Sequence, residues 1–288
     1  MLLAIAALVN PGDQVLVADP GYPANRHFVR MMEGEVVGVP VGPDSRYQLT
    51  PELIEQYWTE RTVAALVATP SNPTGTLIAQ EHLIRMAANA RRRNGVLIVD
   101  EIYHGLVYDG AARGTPTAAG AGDNVFVINS FSKYFNMTGW RLGWMVVPEA
   151  YVSDLDKLSQ NIYLSAPTPA QLAALVAFEP ATLAICEERR EAFRERRDYL
   201  VPALSELGFD IPHMPQGAFY VYAGCGRFSR DSHAFALDLL QQAGVAITPG
   251  IDFGVHEART HVRFAYTRPV ARLREGVRRI SHYLGGLR

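Results

Sequence analysis

Apolar residues recur along the chain in short runs of strand length, separated by stretches of helical character. The runs are Val15–Ala18, Val36–Val41, Ala64–Ala68, Val96–Val99, Val125–Asn129 and Trp144–Val147. They are rich in Val, Ile and Ala and show little polar alternation, the pattern of strands covered on both faces of a mostly parallel sheet. Between the third and fourth runs, Gln80–Arg93 places Leu83, Ile84, Met86, Ala87 and Ala90 at helical spacing. Strand alternating with helix predicts an α/β domain, a mostly parallel sheet flanked by helices.

Past residue 150 the pattern changes. A charged helix is predicted over Leu183–Leu207, a strand over Gly217–Ala223, a helix over Ser232–Ala243, a strand over Val262–Tyr266 and a closing helix over Val270–Leu284. These elements do not alternate in the βαβ manner, so a smaller C-terminal α+β domain is expected. The predicted division is 1–175 for the large domain and 176–288 for the small one. Mixed charges from Glu187 to Arg197 read as a solvated helix face. The opening segment, Met1 to Val9, is apolar but far shorter than the ~20 residues that cross a bilayer, and it lacks a basic lead-in. It reads as the tail of a buried helix that starts without a cap, which predicts a chain incomplete at its N-terminus.

Composition narrows the function classes. In 288 residues, 48% hydrophobic and 19% charged side chains are ordinary for a globular protein and exclude a disordered chain. With 27 basic and 29 acidic residues the net charge is 27 − 29 = −2, so no basic excess exists for a nucleic acid. Two cysteines, Cys186 and Cys225, are too few for a disulfide framework and are not spaced as zinc ligands, which suits a reducing cytoplasm.

Candidate chemistry lies just beyond the strands, where open α/β sheets bind ligands. Thr69-Pro70-Ser71-Asn72-Pro73-Thr74-Gly75 follows the third run, Asp100-Glu101-Ile102-Tyr103 the fourth and Ser130-Phe131-Ser132-Lys133 the fifth. Singly, Asn72 could shape a turn, Asp100 cap a helix, and Lys133 sit on the surface as most lysines do. Their convergence on one sheet edge is what those readings do not predict. An amine just after two serines at a strand end, with a carboxylate on a neighbouring strand, suggests Schiff-base chemistry with pyridoxal 5′-phosphate, whose ring serves as electron sink.

On these motifs the chain resembles the fold-type I, class I/II aminotransferases related to aspartate and aromatic aminotransferases. The resemblance runs from Leu8-Val9-Asn10-Pro11-Gly12-Asp13 to the C-terminus. It includes Asp19-Pro20-Gly21-Tyr22-Pro23, Asn72-Pro73-Thr74-Gly75, Ser130-Phe131-Ser132-Lys133 and Thr138-Gly139-Trp140-Arg141-Leu142-Gly143-Trp144. Later come Pro215-Gln216-Gly217-Ala218-Phe219-Tyr220, Thr248-Pro249-Gly250 and Val262-Arg263-Phe264-Ala265. It implies that Lys133 forms the Schiff base and shuttles the proton, that Asp100 pairs with the pyridinium nitrogen, and that Tyr103 and Asn72 bind the phenolic oxygen. Tyr22 would stack on the ring. Ser130 and Arg141 would bind the phosphate, with Ser132 among the cofactor-binding residues. Arg263, with Asn72, would hold the substrate α-carboxylate as a bidentate fork that a lysine cannot reproduce. It further implies a homodimer, with Asn161–Thr168 near the two-fold interface, and an N-terminal Gly/Ser-rich loop donating amides to the phosphate. The activity expected is amino-acid:2-oxo-acid transamination. The alternatives are a β-eliminating carbon–sulfur lyase and a truncated, non-catalytic ligand-binding or dimerisation remnant.

Overall fold

The computed structural model describes residues 1–108 and 117–286. Six strands, β1 (Gln14–Asp19), β2 (Glu35–Pro40), β3 (Thr62–Ala68), β4 (Val96–Asp100), β5 (Val125–Ser130) and β6 (Gly143–Val146), form one sheet in the order β2-β1-β3-β4-β5-β6. All neighbours pair in parallel except β5 and β6, which are antiparallel, with Ser130 opposite Gly143. The α/β expectation holds. The sequence reading of every strand as covered on both faces does not, because β2 and β6 are the sheet edges and much of each is exposed. An edge strand has one lateral neighbour, and helices cover it incompletely.

Helices layer both faces. Successive strand residues point to opposite sides, and the packing follows that alternation. Val15, Val17, Ala64, Leu66, Val96 and Ile98 bury against α1 (Leu2–Leu8), α2 (Pro23–Met31) and α5 (Val152–Ile162). Leu16, Val67, Leu97, Val99 and Val127 face α3 (Pro51–Tyr57) and α4 (Gln80–Arg91). Both α2 and α3 start on proline at the first position, where the missing N–H costs nothing, and the Thr50 hydroxyl caps α3 by accepting from Leu53 N at 3.2 Å.

After α6 (Thr168–Val176) comes α7 (Pro180–Leu207), which stops at Gly208 in the left-handed conformation, φ +103°. Three antiparallel strands follow in the order β7 (Tyr220–Gly224), β9 (His261–Ala265), β8 (Thr248–Pro249), packed against α7, α8 (Ser232–Asp238) and α9 (Val270–Gly286). The predicted helix over Ser232–Ala243 is α-helical only to Asp238 and finishes as a π turn over Leu239–Ala243.

Several ties fix the two sheets against one another. Gly75, at φ +68°, accepts from Gln216 N and Gly217 N at 2.8 and 2.9 Å, and a Cβ there would lie 2.7 Å from Pro215. Asp19, at the end of β1, accepts from Val255 N at 3.0 Å. The expected solvated face of α7 is corrected at Arg197, which is 2% exposed and donates to Pro215 O at 2.9 Å and to Asp198. A buried cation is tolerable because it is paired and hydrogen-bonded. Among the described residues no single helix is long and apolar enough to cross a membrane, although α6 and α7, bent by 86°, pass that test together. No group of three or more His, Cys, Asp or Glu side chains there could hold a metal ion.

Candidate active site

The carboxyl ends of the parallel strands deliver the chemistry to one edge of the large sheet. Asp100 closes β4 and Ser130 closes β5, while Asn72 sits in the loop after β3. Because β6 runs antiparallel, its N-terminal end lies beside Ser130, which brings Arg141 to the same edge.

Two adjacent carboxylates end up with different duties. Glu101 is buried and fully engaged, accepting from Thr117 Oγ1 and Ala118 N at 2.7 Å each. Asp100 accepts from Ile102 N at 3.0 Å, and among the described residues no side-chain donor reaches it. Burial pushes its pKa up to about 6, against the opposing pull of that N–H and of Lys133. Desolvation disfavours its charged form, so a cation placed beside Asp100 would be favoured there.

Lys133 lies in the loop after β5. Its Nζ is 5.8 Å from the ring centroids of both Tyr103 and Phe219, and among the described residues it has no hydrogen bond or ion pair. Burial, followed by the nearby Arg141, lowers its pKa and raises the share of neutral amine. The other lysine of the chain, Lys157, is exposed and pairs with Asp154 at 3.5 Å. The Tyr103 hydroxyl is 3.2 Å from that of Tyr220, and burial raises its pKa well above the usual value, so it stays a neutral donor.

Anion donors gather nearby. Ser130 Oγ donates to Ser132 Oγ at 2.9 Å and accepts from Ser132 N at 3.0 Å. Arg141 is exposed, in the left-handed conformation at φ +55°, and donates to Thr138 O at 2.8 Å. It stands close enough to Lys133 to depress that amine.

Arg263 comes from β9 and crosses to the large sheet. Its Nη1 donates to Asn72 Oδ1 at 2.8 Å and its Nη2 to Thr248 Oγ1 at 3.2 Å. The guanidinium lies over the rings of Tyr220 and Phe253, 4.1 and 4.8 Å from their centroids, and among the described residues its buried Nε finds no acceptor. Tyr22 is 43% exposed at the start of α2 and lines a small cleft with Asn72, close enough to influence Arg263. Asp100, Tyr103, Lys133 and Arg141 therefore form one electrostatically linked group, and Arg263, Asn72 and Tyr22 another that reaches Lys133 through Arg263.

Sequence reasoning gave no role to Tyr220, Phe219, Phe253 or Thr248, which frame Lys133 and Arg263. Tyr220 and Phe219 fall within Pro215–Tyr220, and Thr248 opens Thr248-Pro249-Gly250, so motif membership was the available signal. No local signal marks Phe253.

The donor set fits pyridoxal phosphate. An unpaired, partly neutralised amine suits its aldehyde, and a carboxylate lacking a cation suits a pyridinium nitrogen. A protonated phenol and a buried amide suit its ring oxygen, while two serines with an arginine suit its phosphate.

Comparison with known proteins agrees. The sequence model described as aminotransferase class I and II matches residues 1–280. The chain is 40% identical to the valine–pyruvate aminotransferase of Mycobacterium tuberculosis over 98% of its length and 72% of that protein. It is 35% identical to the aspartate/prephenate aminotransferase of Thermus thermophilus, covering 97% of this chain and 71% of the relative. A crystal structure of an aminotransferase from Mycobacterium tuberculosis superposes with a TM-score of 0.94 at 39% identity, over 99% of this chain and 73% of the other.

Proposed function

The chain belongs to the class I and II aminotransferases, pyridoxal phosphate-dependent enzymes that exchange amino groups between amino acids and 2-oxo acids, and on that premise we propose that the residues at the sheet edge divide the work as follows. When bound, pyridoxal phosphate supplies an aldehyde and an electron-withdrawing ring. The other tasks fall to the protein. Lys133 Nζ, poised by burial, would hold the cofactor through its aldehyde with loss of water and, once displaced by the substrate amine, would take the proton from the substrate Cα. Asp100 holds a positive ring nitrogen, and that opposite charge would draw its own pKa back down. Tyr103 donates its hydroxyl proton to the ring oxygen beside Asn72, and Tyr22 covers the ring face. Ser130, Ser132 and Arg141 hold the phosphate.

Arg263 orients the substrate through its α-carboxylate. The unpartnered Nε supports this, since a buried N–H without an acceptor is costly unless a ligand completes it. The observation that carries the whole reading is Lys133: a half-buried amine that has no acceptor or counter-ion within bonding distance among the described residues, set between two aromatic rings and near a buried carboxylate.

The substrate pair we propose to test first is valine with pyruvate, because a relative at 40% identity is named for it. Formation of alanine and the valine-derived 2-oxo acid in equal amounts is expected. With an S-substituted cysteine as substrate, release of the thiol, pyruvate and ammonia in place of amino-group exchange would point to elimination instead.

We also propose that the protein works as a homodimer in the cytoplasm, with residues 1–175 as the cofactor-binding part and 176–288 as a smaller unit. Leu164, Leu172, Leu175, Val176 and Phe178 form an exposed apolar band from the end of α5 to the start of α7. Several large apolar side chains left exposed so close in sequence suit an interface. Sedimentation should report a dimer, and a monomer with full activity would refute it. Unpaired, buried Cys186 and Cys225 suit a reducing compartment.

A further inference from the structure

Lys133 and Tyr103 come from different loops, and the chemistry proposed above needs their side chains at a fixed separation. Alongside Lys133 runs a cavity of about 350 Å³, lined in part by Tyr134, Phe193 and Phe219. Within the loop, Lys133 O accepts from Asn136 N at 3.0 Å and Ser132 O from Thr138 Oγ1 at 2.6 Å, bonds that do not reach the Tyr103 loop. Its neighbour Tyr134 makes that link.

The Tyr134 ring lies directly on the backbone of the loop after β4. A Cβ at Gly105 would be 2.5 Å from Tyr134 Cγ, so only glycine lets the ring sit there, two residues past Tyr103. The far end of the ring donates its hydroxyl to Glu187 Oε1 of α7 at 2.6 Å. Glu187 Oε2 is held by Arg190 through Nε at 3.0 Å and Nη2 at 2.7 Å. The remaining nitrogen of that arginine, Nη1, returns to the loop after β4 and donates to Val107 O at 3.0 Å. The circuit is closed: Gly105, Tyr134, Glu187, Arg190, Val107. It grips the Tyr103 loop at two points and the Lys133 loop at one, with a single turn of α7 as the frame. The Arg190 side chain is 14% exposed and that of Glu187 44%, so the guanidinium is sheltered while solvent reaches the carboxylate.

We propose that Tyr134, Glu187 and Arg190 are positioning residues that set the Lys133–Tyr103 separation and thereby the protonation of the lysine–cofactor linkage. The inference rests on the transaminase reading, and the test separates failure of one from failure of the other. The holoenzyme and its Tyr134→Phe, Glu187→Gln and Glu187→Ala variants are titrated with pH by the absorbance of the bound cofactor, and kcat and KM are measured with one amino-acid substrate.

For Tyr134→Phe we expect a displaced titration midpoint and a kcat about tenfold lower, the fold-change of roughly one charge-assisted hydrogen bond, with KM little changed. Glu187→Gln keeps an acceptor for the tyrosine hydroxyl and should recover most of what Glu187→Ala loses. If Tyr134→Phe does not fold, the two Glu187 variants read the same circuit. A lower melting temperature with an unchanged midpoint and unchanged kcat per bound cofactor would overturn the proposal, leaving a purely structural clasp. A wild-type protein with no pH-dependent cofactor band would instead overturn the function it rests on.

Discussion

Asp100 carries a charge that the cofactor-free protein holds at a cost, and replacing it with Asn separates that cost from its use. Burial raises its pKa from 3.8 to about 6. The native state therefore binds a proton more tightly than the unfolded chain does. Stability must then fall as pH rises through the interval from about 4 to about 6, and stay lower above it. At about 1.4 kcal/mol per unit, a shift of roughly two units corresponds to about 3 kcal/mol at most. Asn keeps an oxygen for the Ile102 N–H and carries no charge to desolvate. Asp100→Asn should thus stabilise the cofactor-free protein by up to about 3 kcal/mol near pH 8, with the difference closing below about pH 4. Urea denaturation of both proteins across that range measures it. With cofactor and substrate the sign reverses. The lost anion–cation pair, worth roughly 1.5–3 kcal/mol, should lower turnover about 10- to 100-fold while cofactor stays bound. Equal stabilities at every pH, or near-normal turnover, would refute the argument that this carboxylate is kept for a cation.

Two other perturbations follow from the same geometry. Arg263→Lys cannot fork a carboxylate or stack on Tyr220, and losing one charge-assisted hydrogen bond should cut kcat/KM roughly 10- to 100-fold for every amino acid tried; steady-state kinetics showing unchanged kcat/KM would remove Arg263 from the α-carboxylate site. Arg197→Ala, far from the chemistry, should lower stability in urea by roughly 2–5 kcal/mol, because a buried long side chain is emptied and Pro215 O loses its donor, whereas a loss within 0.5 kcal/mol would contradict its buried role.

Much of this was legible in the sequence because strands end where polar residues begin. The runs at Ala64–Ala68, Val96–Val99 and Val125–Asn129 each stop within a residue or two of the observed strand ends, so Asn72, Asp100 and Ser130 could be placed on one edge by topology alone. What stayed hidden depends on long-range packing. Arg263 meets Asn72 across 191 positions, a contact that no local pattern encodes. The reversal of β6, which carries Arg141 to the site, is invisible in an apolar run that reads the same in either direction. Arg197 looked like its solvated neighbours on α7 because helical charge patterning does not say which arginine turns inward. Glu187 looked the same, and only the structure shows it reaching Tyr134.

The most direct test of the central claim is to trap the lysine. The protein is incubated with pyridoxal phosphate, reduced with borohydride, digested and mapped by mass spectrometry. The chain offers two lysines, one half-buried at the sheet edge and one exposed and ion-paired on α5, so the result is a clear alternative. A reduced secondary amine on the peptide containing Lys133, and its disappearance in Lys133→Arg, is the outcome the account predicts. Labelling at Lys157 alone, or labelling that survives Lys133→Arg unchanged, would contradict it.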